Sequence, residues 1–170
     1  ILEYMEKIRP TVVTLALDPE ASGPDTHYKV MQAIAEAIRL YKERHPEAPL
    51  RVWGYRNVWF KFQPTDVNIF VPVSLNSMAI MKETFKYCFQ SQVDAPFPSF
   101  EFNGPFSGLA QAIQVQQHQD MKRVMGRDFW YENSHPRVRA AHGLVYLKEM
   151  ELEEFYTRAR ELQKVTESQA

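Results

Sequence analysis

The stretch TVVTLALDPEASGPDTHYKVMQAIAEAIRLYKERHPEAPLRVWGY, residues 11–55, decides the fold. It opens on Thr11 to Leu17, a β-branched run with no polar alternation, which is the pattern of a strand covered on both faces. A turn rich in Pro, Gly and acids, Asp18 to Thr26, leads away from it. Val30, Ile34, Ala37, Ile38 and Tyr41 then mark one face of a helix, with Lys42, Glu43 and Arg44 closing it. His45 and Pro46 end it, because the residue before a proline is pushed out of the helical region. Leu50 to Tyr55 is an aromatic strand. A strand, a crossover helix and a further strand make a βαβ unit, which predicts a parallel core with right-handed connections.

Outward from this unit, Ile1 to Ile8 reads as the end of a helix stopped by Pro10. Asn57 to Phe62 is a further strand candidate, and VNIFVPV, Val67 to Val73, reads as a buried one. Ser74 or Asn76 can cap a long helix running through Met78, Met81, Phe85 and Cys88. After Gln92 the style changes: VDAPFPSFEFNGPFSGL packs four phenylalanines, three prolines and two glycines with no steady period. Linkers are poor in Phe, so this reads as an ordered, aromatic-anchored loop. Two helices are expected after it, Leu109 to Val124 and Pro136 to Val165. Leu147, Met150, Phe155 and Leu162 are docking points on the second. The expected fold is α/β: a small, mostly parallel sheet flanked by helices over 1–92, then a loop and helical extension over 93–170 packed on it.

A chain of 170 residues, 45% hydrophobic and 24% charged, has the composition of one globular domain with a real core. Twenty basic against 21 acidic residues leave a net charge of −1, which excludes the dense positive surface of a nucleic-acid binder. No apolar run approaches the roughly 20 residues that cross a bilayer. The opening ILEYMEKIRP has spaced apolar residues, unlike a signal peptide, and starts as if inside a helix, so a longer parent chain is expected. A single cysteine, Cys88, rules out an internal disulfide framework and fits a reducing cytoplasm. Its apolar helical run predicts a buried, structural thiol.

Ligands of parallel sheets bind at the carboxyl ends of the strands. The turn from Asp18 to His27 leaves such an end. An imidazole there can bind zinc through one nitrogen while a carboxylate orients the other. Alternatively, Asp25 or Thr26 caps the helix and His27 is a solvated first-turn residue. A zinc site takes three or four ligands, and no HxxxH, HExxH or paired-Cys spacing is present. His118, His135 and His142 read as structural or surface residues. Arg56, Asn57 and Trp59 sit at a bend after WGY; a guanidinium suits a phosphate and an indole suits a sugar face. The plainer alternative makes Trp53 and Trp59 core residues and pairs Arg56 with a surface acid.

IRPTVVTLALDP and PDTHYKVMQAIAEAI together resemble the later part of the PIG-L/LmbE-like zinc de-N-acetylases, where a strand leads into a Pro-Asp-His turn and a helix. FVPVSLNSMAIMKETFKYCFQSQ is similar to that family's strand, helix lysine and closing Ser-Gln, here Lys82, Ser91 and Gln92. GPDTHYK followed by VWGYRNVWFKF resembles the C-terminal part of glucosamine-6-phosphate deaminase-like proteins, which join a sugar-phosphate isomerase/deaminase domain to a PIG-L-like domain. The resemblance implies the C-terminal portion of a Rossmann-like domain, zinc as the family's cofactor, and His27 as the later metal ligand. Asp25, Arg56, Asn57 and Trp59 are the candidate substrate-binding residues. An early His-Pro-Asp-Asp motif, which supplies the family's other ligands and its base, does not occur in this sequence. The turn reads Gly23-Pro24-Asp25-Thr26-His27, with one residue more than the family's and no oxyanion histidine. The implied function is a part of an amino-sugar enzyme, inactive alone and binding zinc weakly or not at all. The alternative is a non-catalytic scaffold that docks on the isomerase/deaminase domain or drives homo-oligomerisation.

Overall fold

The computed structural model describes residues 1–56, 58, 61–93 and 104–161. Four strands, β1 (Val12–Ala16), β2 (Arg51–Tyr55), β3 (Ile69–Ser74) and β4 (Ala141–Met150), form one sheet in the order β1-β2-β4-β3. Around them lie α1 (Leu2–Ile8), α2 (Asp25–Arg44), α3 (Leu75–Cys88), α4 (Phe106–Met125), α5 (Arg127–Tyr131), α6 (Pro136–Arg139) and α7 (Leu152–Ala159). The fold is therefore α/β. The chain divides into two compact units, residues 1–69 with 147–170, and residues 70–146. Among the described residues no helix is long and apolar enough to cross a membrane.

The first unit is built on the expected βαβ element. β1 and β2 pair in parallel, Val12 opposite Arg51 through Ala16 opposite Tyr55, and α2 is the crossover. α2 buries Met31, Ala37, Ile38 and Tyr41. Val30 was expected on that face and is instead exposed, its place taken by Met31 one position on. The helix stops at His45, whose N–H still reaches the Tyr41 carbonyl at 2.9 Å, because Pro46 follows. α1 ends at Arg9 in the left-handed region (φ 48°), its N–H bonded to the Met5 carbonyl. Glu6 ties α1 to the end of α2 through His45 Nε2, 2.5 Å away, and Arg44, 3.3 Å away.

The end of β4 completes this unit by pairing antiparallel with β2, Val52 opposite Met150 and Tyr55 opposite Leu147. Asn68 extends the pattern with its side chain: its Nδ2 donates to the Glu149 carbonyl at 3.0 Å and its Oδ1 accepts from the Glu149 N–H at 2.7 Å. α7 then buries Phe155 and Ala159 beside α2, where Gln32 Nε2 donates to the Ala159 carbonyl at 2.6 Å. Gly54 in β2 leaves no space for a side chain, since a Cβ there would lie 2.8 Å from Leu17 Cβ.

The second unit holds α3 to α6 with β3 from Phe70 and β4 to Tyr146. Of the two caps the sequence offers for α3, Ser74 is the one used, its hydroxyl accepting from the Ser77 N–H at 3.1 Å, while Asn76 lies inside the helix. α4 lies along α3, with Gln111 Nε2 on the Met78 carbonyl at 2.8 Å, and along β4, with the Tyr146 hydroxyl on the Gln117 carbonyl at 2.9 Å. α4 starts at Phe106, three residues before the expected Leu109.

Several expectations are corrected. The single helix expected from Pro136 to Val165 is interrupted by β4, which separates the helical Pro136–Arg139 from Leu152–Ala159; residues 162–165 lie outside the described residues. Leu144, Tyr146 and Met150 repeat at even positions and are buried, a period of two that makes the segment a strand. The sheet is mixed rather than mostly parallel, because β4 enters antiparallel beside β2. β1 and β3 are not covered on both faces: Val12 and Thr14, on one face of β1, and Phe70 and Val71 of β3 are exposed. Cys88 is exposed rather than buried: it is the last residue of α3, whose buried side chain is Met78, ten residues earlier. Trp53 is half-buried, its indole N–H donating to Glu149 Oε2 at 2.7 Å. Lys61 and Phe62 lie in no strand; Asn57, Trp59 and Phe60 fall outside the described residues, as do residues 94–103 of the aromatic loop and Leu162.

Candidate functional site

The chemistry-bearing residues of the first unit gather where its two parallel strands end. β1 runs out at Ala16 and β2 at Tyr55, and the Leu17 N–H still bonds the Tyr55 carbonyl at 2.8 Å. One residue beyond each strand-end bond stand Asp18 and Arg56. Parallel alignment therefore brings these two to the same edge of the sheet.

Asp18 is 1% exposed, an unusual place for a carboxylate. Its Oδ1 accepts from the Ser22 N–H at 2.9 Å and the Ser22 hydroxyl at 2.6 Å, and its Oδ2 from the Gly23 N–H at 3.0 Å. Arg56 Nη1 stands 3.9 Å away. Burial works against the charge, but the bonds from Ser22 and Gly23, with Arg56, outweigh it and hold the carboxyl below its ordinary value. The loop closes through these bonds, with Ala21 at φ 50° in the left-handed region that β-carbon residues seldom adopt.

Arg56 is itself sealed, its side chain 8% exposed, with its guanidinium 5.3 Å from the Phe62 ring centroid. Nη1 donates to Glu20 Oε2 at 2.6 Å and Nη2 to Glu20 Oε1 at 2.9 Å. The two planar groups meet fork to fork, the geometry in which a guanidinium also grips a phosphate. Glu20 is 41% exposed on the loop. Burial opposes its charge, and the Arg56 bonds overcome that and lower its pKa.

His27 occupies the first turn of α2, its ring half-buried and its N–H on the Pro24 carbonyl at 2.8 Å. Asp25 does not cap the helix; its carboxylate pairs with Lys29 one turn on, and Pro24 stands at the cap position without a side-chain bond. Thr26 is likewise inside the helix rather than at its cap. Asp25 and Lys29 are both exposed. The structure thus brings Arg56 to Asp18 and Glu20, with Asp25 and His27 opening the helix that follows their loop. Asn57 and Trp59, the remaining expected substrate residues, lie outside the described residues. Glu20 and Ser22 were not legible as partners, although Asp-Pro opening a turn, with Ser four residues on, is the composition of a side-chain-closed loop.

Among the described residues no group of three or more His, Cys, Asp or Glu is arranged to hold a metal ion. Asp18 is committed to Ser22 and Gly23, and Asp25 to Lys29. The described residues therefore do not assemble the three or four ligands that the resemblance would require for zinc.

In the second unit, Lys82 on α3 and Ser91 and Gln92 in the 3₁₀ turn after it are exposed. His118 on α4 is the buried imidazole of this unit, 4% exposed, and crosses the Trp130 ring edge to face at 4.6 Å. Burial, then the Lys122 ammonium, depress its pKa, against the opposing pull of the His142 backbone. His135 caps α6, its Nδ1 accepting from the Arg137 N–H at 3.3 Å, and His142 is exposed. Comparison with known proteins adds no relative: no family model, no curated protein and no solved structure matches the chain.

Proposed function

We propose that the chain serves amino-sugar metabolism, as the part of a glucosamine-6-phosphate deaminase-like protein that resembles the zinc de-N-acetylases, with a hexosamine phosphate as its ligand. The observation that carries this reading is the Arg56 fork at the carboxyl end of β2, filled by the Glu20 carboxylate. A carboxylate in that fork stands where two phosphate oxygens fit. Glu20 is 41% exposed and can yield its place, whereas buried Asp18 stays beside the guanidinium, held by Ser22 and Gly23. The chain's own residues would hold and orient the phosphate end; no hydrolytic step is assigned to them.

The test is an NMR titration of the chain and its Glu20→Gln variant with glucosamine 6-phosphate, with glucosamine and inorganic phosphate as separate arms. The expected result is movement of the resonances of residues 18–27 and Arg56 with the sugar phosphate, at several-fold lower concentration in the variant. Glucosamine alone should move nothing. An unchanged affinity in the variant, or shifts away from this loop, overturns the reading.

A second reading, a docking scaffold for a sugar-phosphate isomerase/deaminase domain, is favoured by α3. Leu75, Ile80 and Tyr87 stand exposed there, with Phe89 just beyond its end. Binding of that domain, lost in Ile80→Ser and Tyr87→Ser variants, is its expected outcome.

A further inference from the structure

β1 ends the sheet, with β2 as its hydrogen-bonded neighbour. The bonds flanking their pairing fix which groups face β2: the Thr11 carbonyl accepts from the Arg51 N–H at 3.0 Å, and the Leu17 N–H donates to the Tyr55 carbonyl at 2.8 Å. Backbone direction alternates along a strand with a period of two. Odd-numbered residues therefore bond to β2, while Val12, Thr14 and Ala16 turn their N–H and C=O groups outward. Among the described residues no backbone hydrogen bond reaches those outward groups.

Natural edge strands are guarded by lysine, proline, an inward charge or a bulge. VVTLA carries none of these: it is uncharged, and its register with β2 is regular over all five positions. Val12 is 37% exposed, and Thr14 is exposed as well.

We propose that this edge joins two copies of the chain, β1 pairing antiparallel with the partner's β1 about Thr14 so that two sheets become one. In that register Thr14 faces the partner's Thr14, Val12 the partner's Ala16, and Val13 the partner's Leu15. Every outward N–H and C=O of the three even residues then gains a partner. The occupant is a second copy because the strand complements itself. It sets no like charges against each other, which would oppose self-pairing. It brings Val13 and buried Leu15 together on one face and two threonine hydroxyls together on the other. The symmetry is closed, as in the commonest dimers.

The experiment is sedimentation velocity on the chain from low-micromolar to sub-millimolar concentration, with Thr14→Lys and Thr14→Glu variants. Hydrogen exchange at Val12, Thr14 and Ala16 is followed alongside. Thr14 is exposed, so both variants keep the monomer's packing. The wild-type chain should dimerise, with edge amides whose protection rises with concentration. Each variant alone should dissociate about tenfold more readily, by facing its own charge across the two-fold. An equimolar mixture of the two should restore association. A wild-type chain monomeric throughout overturns the proposal, as do edge amides protected in the monomer by another segment. Variants that associate like wild type, or a mixture that does not recover, overturn the register.

Discussion

Arg56 and Glu20 meet through two parallel hydrogen bonds of 2.6 and 2.9 Å, while Asp18 stands 3.9 Å from the same guanidinium nitrogen. One cation thus serves two acids from a single loop. Replacing Arg56 by Lys removes the planar fork and leaves a point charge. The expected cost is about 1–3 kcal/mol of unfolding free energy, measured by urea denaturation. Glu20→Gln, on the half-exposed side of the pair, should cost less than Arg56→Lys.

Asp18 gives stability a dependence on acid. Its folded pKa is depressed by Ser22, Gly23 and Arg56 despite its burial. Its contribution is therefore complete above the unfolded-state value of about 3.9 and is lost as pH falls through the folded value. Asp18→Asn should flatten the stability curve below about pH 4. It should also speed hydrogen exchange at the Ser22 and Gly23 amides, which donate to this carboxylate.

His118 acts in a higher window. Burial keeps the folded imidazole neutral below its ordinary range, so the unfolded chain takes up the proton first as pH falls. The contribution is present above about pH 6.5 and is lost on acidification below it. His118→Phe, which keeps a ring against Trp130, should reduce the loss of stability between neutral and mildly acid pH. A chemical denaturation series read by exchange in α4 measures it. An unchanged slope would overturn the assignment to His118.

Gly54→Ala tests the packing under β2. The new methyl would fall 2.8 Å from Leu17 Cβ and 3.2 Å from Met150 Cε. Leu17 is fully buried and cannot swing aside, so overpacking of about 1–3 kcal/mol is expected. Thermal unfolding of the variant, compared with Gly126→Ala at a site open to a methyl but at φ 79°, separates crowding from backbone strain.

What the sequence made legible follows from how local each signal is. The βαβ unit could be read because its strand, turn and helix each carry their own period, and Pro46 and Pro10 mark the ends. Ser74 was legible as a cap because the bond it makes spans three residues. β4 was not, because the charged helix of Leu152–Ala159 follows it after a single residue and the run of acids and bases across the junction hides the alternation of the strand. Arg56 was visible as a strand-end guanidinium, but its partner Glu20 is 36 residues away in sequence. Only the parallel pairing of β1 with β2 sets them side by side.

β4 supplies residues to both units, and this reverses the order in which the chain can mature during synthesis. Domains ordinarily form from the N-terminus as the ribosome releases them. Here the segment that begins first finishes last: β2 waits for Tyr55 to meet Leu147 and Val52 to meet Met150, nearly a hundred residues downstream. The interior stretch, residues 70–146, is released whole before that pairing is available. A chain truncated after residue 146 keeps every residue of the second unit and leaves the first without its third strand. Such a chain holds β1 and β2 as a ribbon of two strands, below the three that give a sheet independent stability. Chains truncated after residue 146 and after residue 161 should differ sharply in protease resistance over residues 1–69, whereas the second unit should be equally resistant in both.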